Sequence, residues 1–208
     1  MSSWAEKPAL FVVGDVAAFG KEFEEDLAVV AFAVGQFGLP ENLKLSIHSG
    51  SDKFSIYAPI AKALKKFDAG LHVKTAGTTW LEELIGLAMA APDGLSIAKE
   101  VYAKALSRFS ELCGPYATVI DIDTAELPAI DEVEKWDGRS FASALRHNQS
   151  CERYNPSFRQ LLHVGYKIAA QMGTRFSDAL EKHEDIIAQN VAENIYQRHV
   201  RPIFMELR

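Results

Sequence analysis

The sequence predicts an α/β fold of four βα units with parallel strands, followed by a helical C-terminal tail, and three observations carry that expectation. Short runs of strand character occur at residues 9–13, 43–48, 71–75 and 117–123. The stretches between them repeat apolar residues every three or four positions, the spacing of one helix face. Beyond Asp123 only helical spacing recurs. Strands that alternate with helices favour a parallel sheet, because parallel neighbours need a long crossover between them.

The first strand (Ala-Leu-Phe-Val-Val) is apolar throughout and ends at Gly14-Asp15. Its helix carries Phe19, Phe23, Leu27, Val30, Val34 and Phe37 as a core stripe and closes at Gly38 and Pro40. In the second strand Leu43, Leu45 and Ile47 alternate with Lys44, Ser46 and His48. It breaks into Ser49-Gly50-Ser51-Asp52-Lys53, and a helix then runs from Tyr57 to about Phe67. The third strand leads into Ala76-Gly77-Thr78, and Thr79-Trp80-Leu81-Glu82 reads as a capping box opening the next helix. Ile97, Val101, Ala105 and Phe109 mark a further helix, ending near Gly114-Pro115. The fourth strand sets Asp121 and Asp123 on one side of the pleat. Asn155-Pro156 starts a firm helix, with a capping Asn and Pro at its first position, that ends at Gly173. A last helix through Phe176, Leu180, Ile187, Val191 and Ile195 stops before Pro202.

This is one α/β domain over residues 1–208, with the βα units in 1–123 and a mostly helical region in 124–208. Its 208 residues, 48% hydrophobic, support a real core. A net charge of -6 without a basic stripe speaks against a nucleic-acid partner. No stretch is apolar for long enough to cross a bilayer, so no membrane partner is expected. The N-terminus lacks the layout of a signal peptide, and Cys113 and Cys151 stand in no metal or redox spacing. Reduced thiols in a cytoplasmic protein are the expectation. Four units match half of a (β/α)8 barrel and also a small open sheet, so the count leaves both architectures open.

The chemistry concentrates after the second strand. A strand ending in His48-Ser49-Gly50-Ser51-Asp52-Lys53 and feeding a helix sets ionisable groups at a carboxyl end, where α/β proteins bind their ligands. The same residues also suit an ordinary βα turn. His48 fits a divalent-metal ligand or an acid/base role, and equally a satisfied structural histidine. His72 and Lys74, two apart, share one strand face. Lys74 fits a Schiff-base lysine on an interior strand, or an amine paired with Asp121 or Asp123. Gly77, Thr78 and Thr79 stand where a helix N-terminus can receive an anion, although capping explains them almost as well. His163, His183 and His199 read as helix-face residues, exposed or packed. The residues point to a pocket for an acidic sugar or phosphate, with room for a metal.

The string Ser46-Ile47-His48-Ser49-Gly50-Ser51-Asp52-Lys53-Phe54-Ser55-Ile56-Tyr57, followed by His72-Val73-Lys74-Thr75-Ala76-Gly77-Thr78, resembles the tagaturonate/fructuronate epimerase family. Leu161-Leu162-His163-Val164 and Glu193-Asn194-Ile195-Tyr196-Gln197-Arg198-His199 extend the likeness over nearly the whole chain. The resemblance implies a barrel-like enzyme of hexuronate breakdown that uses a divalent cation to interconvert D-tagaturonate and D-fructuronate. It makes His48 and His72 the metal ligands and Lys74 and Asp52 the catalytic groups. Ser49, Ser51, Lys53, Thr75 and Thr78 become substrate contacts. Family members are longer, so the chain resembles their C-terminal half: a half-barrel working as a homo-oligomer or with a partner chain that brings the rest. The inverted carbon lies beta to the ketone, which suggests retro-aldol cleavage and re-addition, assisted by metal or by an iminium on Lys74. A sugar-acid aldolase and a non-catalytic sugar-acid-binding half are the alternatives.

Overall fold

A computed structural model describes residues 15–48 and 53–205, and they form two compact units. Of the described residues, those up to 76 and from 194 onward form one unit, and residues 77–193 the other. The predicted first strand, 9–13, lies outside the described residues.

In the first unit, helix α1 (Val16–Phe37) starts where the Asp15 carboxylate accepts the N–H groups of Ala17 at 2.8 Å and Ala18 at 3.1 Å. It ends at Gly38, whose φ of 61° is left-handed, a conformation that costs glycine nothing sterically. Phe23 and Leu27 are buried as expected, but Phe37 is 69% exposed, and so are Val29 (66%) and Phe32 (65%). The partner helix explains the difference. Helix α2 (Tyr57–Phe67) has 11 residues against 22 in α1, so at ~1.5 Å per residue it spans half the length.

Strands β1 (Leu45–His48) and β2 (Leu71–Lys74) pair in parallel, with Leu45 opposite Leu71, Ser46 opposite His72, Ile47 opposite Val73 and His48 opposite Lys74. Leu45, Ile47, Leu71 and Val73 turn one face of the sheet onto a core of Phe23, Leu27, Ile60 and Leu64. The last segment, Asn194–Met205, winds as a wide helix against α2. It runs through Pro202 instead of stopping before it, because Ile203, 3% exposed, is anchored in the same core.

The second unit is helical. Helices α3 (Ala76–Ala90), α4 (Pro92–Ser107), α5 (Phe109–Cys113), α6 (Ile130–Val133), α7 (Gly138–Leu145), α8 (Pro156–Val164) and α9 (Tyr166–Gln171) enclose most of its core. Its centre is Leu81, Leu84, Tyr102, Phe141, Phe158 and Leu161. Helices α10 (Thr174–Lys182) and α11 (Glu184–Glu193) add a smaller cluster with Leu87 and Ile97. The cap of α8 is as read from sequence: Asn155 accepts the Phe158 N–H at 2.7 Å, and Pro156 stands first in the helix.

Two local expectations are overturned here. Helix α3 begins at Ala76, so Thr79 lies inside it and Glu82 is no cap. The Glu82 carboxylate is buried and accepts from the Asn190 amide at 2.8 Å, a stronger draw than an exposed backbone N–H. The predicted fourth strand does not form. Residues 117–119 are a turn, and 120–123 run without a neighbouring strand. The Gln160 side chain instead pairs with both backbone groups of Asp121, donating to its carbonyl and accepting its N–H, each at 2.8 Å. One amide side chain thus satisfies the groups that a strand would have satisfied. The sheet among the described residues therefore has two strands, within a mostly helical α/β protein.

Candidate functional site

Parallel register decides what the spacing alone left open. Residues aligned across neighbouring strands share a face, so Ser46 and His48 of β1 stand with His72 and Lys74 of β2 on the side opposite the core. All four are exposed. His48 and Lys74 are the last residues of their strands, so the group sits at the carboxyl end of the sheet. The hydrophobic face packs and the polar face is left to solvent; alternation in both strands dictates this.

His48 and His72 stand diagonally to each other across the parallel pair, on the same face. Imidazoles are donors of the kind a divalent cation takes. Among the described residues no group of three or more His, Cys, Asp or Glu side chains could hold a metal. Lys74 is exposed, so the desolvation that would activate a Schiff-base lysine is not supplied by the residues described around it.

Ser49, Ser51 and Asp52 lie outside the described residues. Lys53 opens the short turn Phe54–Ile56, is half-buried, and has its amine pKa pushed below the ordinary 10.5 by that desolvation. Thr75 directly follows β2 and is half-buried. Thr78 belongs to the second unit and is fully buried in α3. The described chain thus brings His48, His72 and Lys74 onto one face and buries Thr78. Asp121 and Asp123 also belong to the second unit, where Asp123 caps a short turn by accepting the Ala125 N–H at 2.9 Å.

Residue-by-residue reading missed the contribution of the C-terminal segment. His199 is a helix-face residue of the packed kind. It is 1% exposed, its ring lying 5.6 Å from Phe54 and 5.7 Å from Tyr57, and those two rings are 5.7 Å apart. Beside this triangle the Arg198 guanidinium lies 4.3 Å from the centre of the Phe54 ring. The strings 46–57 and 193–199 are far apart in sequence, yet their residues meet here. Their shared family likeness was the one signal that could have joined them.

Comparison with known proteins gives the family. A family model described as tagaturonate epimerase matches residues 8–203. The tagaturonate/fructuronate epimerase of Thermotoga maritima is 32% identical over 191 residues, covering 90% of this chain and 34% of that protein. The crystal structure of fructuronate-tagaturonate epimerase UxaE from Cohnella laeviribosi, complexed with two glycerols, superposes with a TM-score of 0.67 at 26% identity. It covers 95% of this chain and 36% of that one. The chain therefore spans about a third of the length of these relatives. With a family match that runs through both units, from before α1 to the terminal segment, the chain belongs to the tagaturonate epimerase family.

Proposed function

We propose that this chain contributes the polar strand-end face of a divalent-metal-dependent site that interconverts D-tagaturonate and D-fructuronate. The observation that carries the reading is the register that sets His48, His72 and Lys74 on one exposed face at the carboxyl end of β1 and β2. A two-stranded parallel sheet with its helices is a fragment of the architecture expected of a (β/α)8 half-barrel, whose inner strand faces carry such groups.

His48 and His72 would hold the cation, which supplies Lewis-acid polarisation of the substrate carbonyl when bound. The remaining work falls to the chain. Asp52 takes the proton of the hydroxyl on the carbon to be inverted, and the bond from that carbon to its neighbour beside the ketone breaks. The electron pair passes into an enolate and an aldehyde is left. Lys74, as an ammonium, offsets the enolate charge. Rotation of the aldehyde and re-addition from its other face reform the bond, and Asp52 returns the proton. No oxidant or reductant is needed. The exposed Val29, Phe32 and Phe37 on α1 support association with a second copy or a companion chain that brings further βα units.

Turnover of D-tagaturonate by the purified chain, with added divalent metal and with chelator, tests the reading. Metal-dependent appearance of D-fructuronate is the expected result. Absence of turnover with metal still bound would reduce the chain to a binding half. Absence of both would overturn the proposal.

A further inference from the structure

We infer that the second half of α1 pairs antiparallel with the same segment of a second copy of this chain, along the row Glu25, Val29, Phe32 and Gln36. The inference narrows the association proposed above to one occupant. It does not depend on the epimerase chemistry, so a dimer without turnover would leave it standing.

The charged residues of α1 all fall within 21–26, and residues 27–40 carry none. Beyond Leu27 the helix is apolar on every side except at Gln36, yet none of residues 28–37 is buried. A helix that is apolar all round is normally covered, and an open patch of this kind marks an interaction surface. The row itself says what covers it. Spacings of four, three and four align Glu25, Val29, Phe32 and Gln36, as in the seam along which two helices pack side by side. All four are exposed. A two-fold interface requires such a row to complement itself. Turned antiparallel about a point between Val30 and Ala31, it does: Val29 meets the partner's Phe32, and Glu25 meets the partner's Gln36, each twice over. The apolar pairs lie at the centre, and at either end a Gln36 amide donates to a Glu25 carboxylate. Glu25 also reaches Lys21 at 3.7 Å, an exposed pair worth little that leaves room for a further donor. Phe37 steadies the centre, its ring lying edge-on to that of Phe32 with centroids 6.5 Å apart. Parallel pairing would instead set Glu25 on Glu25 and the acidic stretch 22–26 on itself, a like-charge cost. This match of the row with its own reverse favours a second copy over an unrelated partner.

Sedimentation equilibrium of the full chain over a range of concentrations reads the mass, with circular dichroism to show that each variant is folded. The expected result is a mass that climbs from one chain to two. Phe32→Glu should raise the dimer dissociation constant at least about tenfold, since each dimer buries two of these rings. Val29→Glu should act in the same direction and keeps the test alive should Phe32→Glu fail to fold. Gln36 reports the orientation. In the antiparallel pair Gln36→Lys faces the partner's Glu25 and should tighten the dimer at low salt, whereas Gln36→Glu should loosen it. A parallel pair sets residue 36 against itself and would be loosened by both. A dimer left intact by folded Phe32→Glu and Val29→Glu would overturn the inference, and so would loosening by Gln36→Lys. A wild type that stays a single chain at every concentration would also overturn it, and would leave the face to a companion chain.

Discussion

Replacing Gly138 by alanine should destabilise the second unit, although it is a helical glycine. Gly138 is the first residue of α7, and a Cβ there would sit 2.3 Å from the carbonyl oxygen of Ala88 and 3.3 Å from the Met89 Cα. Both contacts are backbone, so nothing can rotate aside. Two terms oppose each other. Alanine in place of glycine favours a helix by at most ~1 kcal/mol, and less at its first position. Forcing a methyl group into packed backbone costs about 1–3 kcal/mol. The clash wins, by about 1–2 kcal/mol, which in a chain of this size lowers the melting temperature by roughly 2–8 °C. Gly35 is the control: it lies inside α1, and a Cβ added there would meet nothing within 4 Å, so Gly35→Ala keeps only the helical gain and should stabilise. The assay is urea unfolding followed by far-UV circular dichroism, with Trp80 and Trp136 fluorescence reporting the second unit. A Gly138→Ala midpoint at or above wild type, with unchanged denaturant dependence, would refute the packing of α7 on the end of α3.

Trp80→Phe removes the indole N–H that donates to the buried Leu162 carbonyl at 2.9 Å, and should cost about 1–3 kcal/mol in the same unfolding assay. His48→Ala or His72→Ala should each abolish saturable divalent-metal uptake, measured by inductively coupled plasma mass spectrometry after gel filtration; uptake equal to wild type in both would remove them as ligands. After reductive methylation with labelled formaldehyde, the Lys53 NMR signal should titrate below the ordinary lysine value. Its charged form is penalised by burial, so that penalty is present at neutral pH and stability rises as pH climbs through the Lys53 midpoint toward 10.5. Asp93, held down to about 2 by hydrogen bonds from Lys182 and His183, should protonate well below the ordinary 3.8. Its contribution is present above about 3.8 and disappears as pH falls toward about 2, and Asp93→Asn should remove that part of the acid dependence.

Short-range chemistry was legible in the sequence. Asn155 is a cap, Gly38 closes α1, and β1 and β2 are strands, because each depends on a side chain and backbone a few residues apart. The alternation in residues 43–48 and 71–74 likewise determined that His72 shares a face with Lys74. What needed tertiary structure was every feature set by a distant partner. Residues 117–123 carry strand-like alternation, but a strand needs a neighbour, and the neighbour that came was the Gln160 side chain. Glu82 reads as a cap until Asn190, remote in sequence, takes its carboxylate. Phe37 fits a core stripe by period, yet α2 is too short to reach it. The site divides along the same line. Composition and spacing marked His48, His72, Lys53 and Lys74, whereas only the parallel register joined His48 to the other two face residues, and only the return of the last helical segment brought Arg198 and His199 to Phe54. Local preferences are written in consecutive residues, while register and long-range packing are settled by which surfaces remain to be buried once the local elements exist.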